Sequence, residues 1–378
     1  LAGKSFGMRA SPLNFSMEEL AQGVCYAHAR GVRVYLTVNT LPHNREADVL
    51  PEFLQNAAAA GVDAMIVTDL GAMALIRRLL PQMELHVSVQ AGVTNYLTAR
   101  AFYELGAKRV VLARELSLKE IAEIAEKTPP GLELEAFVHG AVCMSYSGRC
   151  LLSDYLTGRD PNRGECAQPC RWKYALMEES RPGEYLPILE DEDGSYILNA
   201  EDLNMLPHIP ALYEAGVSSL KIEGRAKTEY YTAVTANAYR AAVDSFLKHP
   251  SGWSPEAYLL EELCKVSHRP YGTGFYFGKA WQDTKRGGYI REYEVAALAV
   301  KYDATRGLLT VAQRNKFLPG AVFDVLEPGV QRPWTFTAGD LYDDKMQLIQ
   351  SAPHPGMSVQ MYAPPVQPGA FLRQKRNG

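Results

Sequence analysis

The chain has 378 residues, a formal net charge of −4 and the composition of an ordinary globular protein; that length is too great for one small core and argues for two domains, one of which could reach barrel size. No run of about 18 uncharged apolar residues occurs and the start is not a basic segment ahead of a short apolar run, so neither a membrane span nor a secretory signal is expected, and a cytoplasmic location follows. The acidic balance gives no global attraction to a polyanion, so contact with nucleic acid would need a local basic patch.

Residues 1–11 read as the exit from a strand already under way, which predicts that N-terminal residues precede Leu1. Ser16-Met17-Glu18-Glu19 then fits a capping box, in which hydroxyl and carboxylate satisfy free amide donors reciprocally at a helix start. From here one short pattern recurs: a helical run stops at a glycine, and an apolar strand follows within a few residues. It appears at Gly31 before Val34 to Val38, Gly61 before Met65 to Val67, Gly106 before Val110 to Ala113, and Gly216 before Leu220 to Ile222. Glycine there is the usual left-handed helix stop. Further strands read at Leu85 to Val89 and Leu132 to Val138, and Ser117-Leu118-Lys119-Glu120 is a second capping box. Apolar strands alternating with helices predict βαβ units and a parallel sheet buried on both faces. The expected fold is α/β: a (β/α) TIM-like barrel over 1–282 with a cysteine-rich insert at 143–188, a doubly wound open sheet being the alternative.

After about residue 282 the pattern changes to short alternating strands, at Glu294 to Tyr302, Leu308 to Gln313, Ala321 to Leu326, Met346 to Ile349 and Val359 to Tyr362. No amphipathic helix fits there, so 283–378 is expected to form a small antiparallel β-barrel domain.

Four of the six cysteines fall in the run Cys143-x6-Cys150-x15-Cys166-x3-Cys170. In a chain without secretory features such clustering favours a metal over disulfides, because cytosolic thiols stay reduced. Four thiolates suit either tetrahedral zinc or a [4Fe–4S] cluster, and only Cys166 and Cys170 have the close spacing usual for zinc. Cys25 and Cys264 sit in helix-like runs and read as small buried hydrophobes.

The segment from Glu135 to Cys150, with His139-Gly140-Ala141-Val142-Cys143 at its centre and Ser147-Gly148-Arg149-Cys150 at its end, closely resembles the signature of the peptidase U32 family. Arg114-Glu115-Leu116-Ser117, Arg159-Asp160-Pro161-Asn162, Arg181-Pro182-Gly183-Glu184-Tyr185 and the run from Ser219 to Arg225 resemble the branch that makes 5-hydroxyuridine at the wobble position of tRNA. The resemblance covers nearly the whole chain. It implies an oxygen-independent, prephenate-dependent RNA hydroxylase with an iron–sulfur cluster held by Cys143, Cys150, Cys166 and Cys170. Some relatives draw a ligand from a cysteine just after a Lys/Glu-Asp-Leu motif, but here Glu201-Asp202-Leu203 is followed by Asn204, which makes Cys170 the natural fourth ligand. Sister branches are similar to a ribosomal RNA cytidine hydroxylase and to quinone-ring hydroxylation proteins.

In parallel barrels the reacting groups come from the C-terminal strand ends. Asn39, Asp69, Gln90, Arg114, His139 and Glu223 land there. His139 and Glu223 are the catalytic candidates; His139 could shuttle a proton because its pKa lies near neutrality, or it could simply be bonded to backbone at a strand end. Asn39, Gln90, Arg114 and Arg225 are the substrate-binding candidates. Guanidinium matches a carboxylate fork and prephenate carries two carboxylates, while an ion pair with Glu115 or Glu223 would be the bland alternative. Lys221 and Glu223 alternate along one strand toward the interior, where charges must be paired. In the insert, Arg149, Arg159, Arg163, Arg171 and Lys173 outnumber Asp154, Asp160 and Glu165, with Tyr155, Trp172 and Tyr174 interleaved, as a solvated loop or as a site for an unpaired base of a tRNA anticodon loop. A peptidase is disfavoured, since no Gly-x-Ser-x-Gly or His-Glu-x-x-His occurs. A zinc-stapled RNA-binding module without catalysis remains a distinct possibility, separable by metal identity.

Overall fold

The computed structural model describes residues 6, 14–141, 152–159, 166–169, 172, 176–177, 185–186, 201–224, 227–278 and 289–376. By internal contacts the chain divides into two units, Leu1–Glu223 with Tyr271–Gly287, and Gly224–Pro270 with Gly288–Gly378.

The first unit alternates helix and strand: α1 (Met17–His28), β1 (Tyr35–Val38), α2 (Asn44–Ala47), α3 (Leu50–Ala59), β2 (Ala64–Val67), α4 (Leu70–Leu79), β3 (Glu84–Val87), α5 (Tyr96–Glu104), β4 (Arg109–Val111), α6 (Leu118–Lys127) and β5 (Glu133–Ala141). After α7 (Leu152–Thr157) and the short antiparallel pair β6 (Leu176–Met177) and β7 (Tyr185–Leu186) come β8 (Asp202–Asn204), α8 (Ile209–Glu214), β9 (Ser219–Ile222) and, later in the chain, β10 (Tyr271–Gly272). Both expected capping boxes form, at Ser16 with Glu19 and at Ser117 with Glu120. The glycines expected to stop helices all take positive φ, Gly61 and Gly216 at 86°. All four residues of β2 are buried, as a strand covered on both faces requires.

Strands β1 to β5 lie side by side in chain order and are parallel, without the reversal that marks a doubly wound sheet. The fold is thus α/β with a parallel sheet. Beyond β5 it departs from simple repetition. β9 pairs parallel with β5, whereas β8 pairs antiparallel with the end of β5 and parallel with β10. Among the described residues β1 and β10 are the two ends of this order, so ring closure is not part of what they form.

The second unit holds α9 (Glu229–Lys248), α10 (Ala257–Cys264) and an eight-stranded antiparallel sheet built from β11 (Tyr293–Asp303), β12 (Leu308–Gln313), β13 (Val322–Leu326), β14 (Trp334–Thr337), β15 (Leu341–Tyr342), β16 (Leu348–Ile349), β17 (Ser358–Tyr362) and β18 (Phe371–Lys375). The sequence boundary at 282/283 keeps α9 and α10 with the parallel sheet. By contacts these helices group with the second unit, because Tyr230, Tyr231 and Val234 of α9 pack with Val266, Leu326, Val295 and Phe371.

That unit also encloses an ionic cluster. Arg373 of β18, fully buried, donates to Glu262 of α10 at 2.7 and 3.1 Å and to Asp324 of β13 at 2.6 Å. Lys265 bonds the same two carboxylates. Two cations thus balance two anions in an interior that could not hold either alone.

Candidate functional site

The expected polar residues do collect at the C-terminal strand ends of the first unit. Asn39, one residue past β1, donates from Nδ2 to Ser88 Oγ just past β3 at 3.2 Å, and its carbonyl accepts from Thr68 Oγ1 just past β2 at 3.3 Å. Ser88 also caps a single 3₁₀ turn, accepting from the backbone N–H of Gln90 at 3.5 Å, and Gln90 is itself buried. Asn39 and Gln90 therefore share one hydroxyl. Asp69 has a different job: its carboxylate accepts from the N–H of Ala72 at 2.8 Å and caps α4.

Arg114 follows β4, and its guanidinium carbon lies 4.0 Å from the centroid of the buried Phe137 ring. Lys221 of β9 places its ammonium 5.7 Å from the same ring. Two cations thus share one aromatic ring in the sheet interior, an arrangement that suits an anionic ligand. Tyr276 donates its hydroxyl to the carbonyl of Phe137 at 2.5 Å, and burial pushes its phenol upward, with Arg114 opposing. It therefore stays a proton-bearing donor at neutral pH.

His139 lies two residues beyond Phe137, past a register shift in which Phe137 stands opposite Lys221 but His139 opposite Ile222. Such a bulge bends a strand and re-aims the following side chain. His139 is buried, with its ring 5.3 Å from that of Tyr271 in β10. Its carbonyl accepts from the N–H of Glu223 at 2.9 Å, while that of Val138 accepts from Met205 at 2.9 Å. The end of β5 is therefore gripped by backbone from both β8 and β9. Gly140, at φ 107°, is required: a Cβ there would come within 2.5 Å of the Glu223 carbonyl oxygen. The two catalytic candidates are thus brought together through the main chain.

Deeper in the same strands lies a charged layer that the sequence reading touches only at Lys221. Lys221 pairs with Glu135, Nζ to Oε1 at 2.7 Å, across the β5–β9 register. Glu135 also accepts from Ser219 at 2.8 Å and from Arg109 at 3.1 Å, and Arg109 reaches Glu133 at 2.6 Å. Burial alone would raise the Glu135 carboxyl, but Lys221, Ser219 and Arg109 overcome it and hold it at about 2. His86 of β3 is buried beside this layer with a 2.8 Å bond to Glu84, and burial pushes its imidazole down. The available signal was the presence of charges in strands that should be apolar on both faces. What it could not give was the partner, 86 positions away for Glu135 and Lys221.

Of the four candidate ligands, Cys143, Cys150 and Cys170 lie outside the described residues, as does Arg225. Cys166 is described and exposed, and its sulfur accepts from the N–H of Gln168 at 3.3 Å. The adjoining Ala167 N–H donates to the buried Ser153 hydroxyl of α7 at 2.9 Å, which fixes this segment. The Cys166 sulfur is thus open to solvent on a segment that α7 holds in place, where a metal could reach it. Among the described residues no helix is long and apolar enough to cross a membrane.

Comparison with known proteins completes the picture. The profile of Peptidase family U32 matches residues 1–286, and that of the Peptidase family U32 C-terminal domain matches residues 291–373. The chain is 35% identical over 358 residues to the tRNA hydroxylation protein P1 of Bacillus subtilis (strain 168), spanning 94% of this chain and 84% of that one. It is 35% identical over 401 residues to the tRNA hydroxylation protein P of Escherichia coli (strain K12), spanning 95% and 87%. A 23S rRNA 5-hydroxycytidine synthase of Escherichia coli (strain K12) is 33% identical over 286 residues, which is 74% of this chain and 42% of that one.

Proposed function

The chain belongs to peptidase family U32, and from that membership we propose that it is a cytoplasmic enzyme that hydroxylates a base of RNA, the wobble uridine of tRNA, to give 5-hydroxyuridine. The observation that carries the reading is the similarity along nearly the whole chain to two proteins named for tRNA hydroxylation. The parallel sheet is read as part of a (β/α) barrel and the antiparallel sheet as a small β-barrel, because the polar residues gather at one end of parallel strands, where such barrels act.

The reaction replaces a C–H bond of the base by C–OH, a net two-electron oxidation, and it balances when the alcohol-bearing co-substrate gives up its hydroxyl oxygen and takes the hydrogen in its place, so that the co-substrate is reduced by the same two electrons. Cys143, Cys150, Cys166 and Cys170 would hold a [4Fe–4S] cluster, which when bound supplies one-electron transfer; zinc on the same thiolates is the alternative. Arg114 and Lys221 bind the carboxylates of prephenate as co-substrate over the Phe137 ring, with Arg225 as a further candidate. Asn39 and Gln90, held by Ser88, orient the base once it has left its stack, at low cost in an already unpaired anticodon loop. His139 moves a proton at the reacting base, and Glu223, tied to it through the main chain, sets its position. Tyr276 remains a donor and fixes the Phe137 carbonyl.

The test is anaerobic purification followed by metal and sulfide analysis, with nucleoside analysis of tRNA from cells lacking the gene and complemented with wild type or Cys150→Ala. Hydroxyuridine restored by wild type alone, together with about four irons per chain, supports the reading. Normal hydroxyuridine with Cys150→Ala, or a colourless protein with one zinc, counts against a catalytic cluster.

A further inference from the structure

The start of β11 in the second unit is the centre of a basic edge. Lys227 stands 4.7 Å from the Tyr289 ring and Arg291 stands 5.8 Å from it, and both cations bond Ser267, Lys227 to its carbonyl at 3.4 Å and Arg291 to its hydroxyl at 3.2 Å. Along the strand, Tyr293 pairs with Lys375 and Glu294 with Gln374, while Arg376 donates its N–H to the Glu292 carbonyl at 2.8 Å. Gln374 reaches the Lys316 carbonyl at 2.9 Å, and the Arg314 N–H donates to the Ala296 carbonyl at 2.7 Å. These bonds set Lys227, Arg291, Arg314, Lys316, Lys375 and Arg376 on segments that meet around the start of β11, and all but Lys227 are exposed.

Glu292 and Glu294 stand on the same stretch of chain, and Glu261 lies beside Cys264 with Glu292. Glu294 is committed to Gln374 at 2.8 Å and to Arg376 at 3.7 Å, and Glu261 and Glu292 both act on Cys264, raising its thiol after burial has done so. Among the described residues, these six cations gather in a chain whose formal net charge is −4. Tyr289 is exposed beside two of the cations. Clustered Lys and Arg next to an accessible aromatic ring match a sugar–phosphate backbone with an unpaired base.

We infer that this edge of the second unit is a contact surface for RNA phosphates, distinct from the strand-end residues that act on the base. The inference rests on the reading that RNA is the substrate, and it adds a place where the molecule is held. Phosphate contacts position a nucleic acid without reading its sequence. The edge therefore sets affinity and salt dependence, leaving the choice of base to the first unit.

The experiment measures binding of the full chain to a synthetic RNA hairpin with an unpaired loop, by fluorescence anisotropy over a range of salt. Arg291→Glu, Lys375→Glu and Arg376→Glu are combined in one variant. A control combines Lys301→Glu, Arg306→Glu and Lys345→Glu, which are exposed in the same unit and change the charge equally. The edge variant is expected to lose roughly tenfold or more in affinity, with the slope of log affinity against log salt falling by about 2, while the control stays near wild type. A triple glutamine variant at the edge gives the same direction with a smaller loss and guards against misfolding by charge reversal. Equal losses in edge and control, or wild-type slope in the edge variants, overturn the contact surface and leave the hydroxylase reading standing. Failure of the wild-type protein to bind the hairpin or whole tRNA overturns both.

Discussion

Lys221 and Glu135 meet at 2.7 Å between adjacent parallel strands, with the carboxylate almost wholly buried and the ammonium partly open. The ion pair gives Lys221 a fixed position, with its ammonium 5.7 Å from the ring that Arg114 also covers. One residue thereby belongs to both the deep charged layer and the strand-end site.

Glu135→Gln is expected to lower stability by about 3 kcal/mol at neutral pH, since it leaves buried cations undercompensated. Because the folded carboxyl sits at about 2 against an ordinary 4.5, its contribution is complete above pH 4.5 and is lost as the pH falls toward 2. Urea unfolding at a series of pH values should show this acid limb in wild type and a shallower one in the variant. Identical limbs would mean that Glu135 is not the depressed group.

Arg373→Met should destabilise the second unit by roughly 3–5 kcal/mol, because Glu262 and Asp324 would keep only Lys265 between them. Arg373→Lys should rescue little, as an ammonium cannot fork to two carboxylates as guanidinium does. The check is the denaturation midpoint of each variant; full rescue by lysine would show that charge alone matters there.

Gly140→Ala forces a Cβ against the Glu223 carbonyl oxygen at a backbone angle that alanine resists. A loss of about 1–3 kcal/mol is expected. The more informative readout is hydroxyuridine in cellular tRNA, which should fall further than stability does, since the change parts the strand ends that carry His139 and Glu223.

Arg114→Gln should raise the KM for the carboxylate co-substrate at least tenfold while changing kcat less, the pattern of an interaction made equally in ground and transition states. The reverse split would move Arg114 from binding to chemistry.

Much of the first unit is legible in the sequence because its signals are local. The capping boxes at Ser16 and Ser117 and the glycine stops at Gly61 and Gly216 sit within a few residues of the structure they create. β8 and β10 escape notice: Asp202–Asn204 and Tyr271–Gly272 are too short to show a period, and their pairing is set by strands far away in the chain. β18 is missed for another reason. Its central Arg373 looks like a surface residue until Glu262 and Asp324, 111 and 49 positions away, are brought against it. At the site, the row from Asn39 to His139 follows from strand ends and parallel topology, whereas Phe137 as a shared platform and the bulge before His139 depend on register.

The chain crosses between its two units three times, after Glu223, Pro270 and Gly287. A gene cut at the junction of the two family profiles would therefore leave the upstream piece incomplete. Its N-terminal product would carry α9 and α10 stripped of Leu326, Val295 and Phe371, and Glu262 and Lys265 without Arg373 or Asp324. The C-terminal segment thereby completes the packing of the upstream helices, and a substitute sheet would have to bring apolar cover for α9 and a buried cation for Glu262.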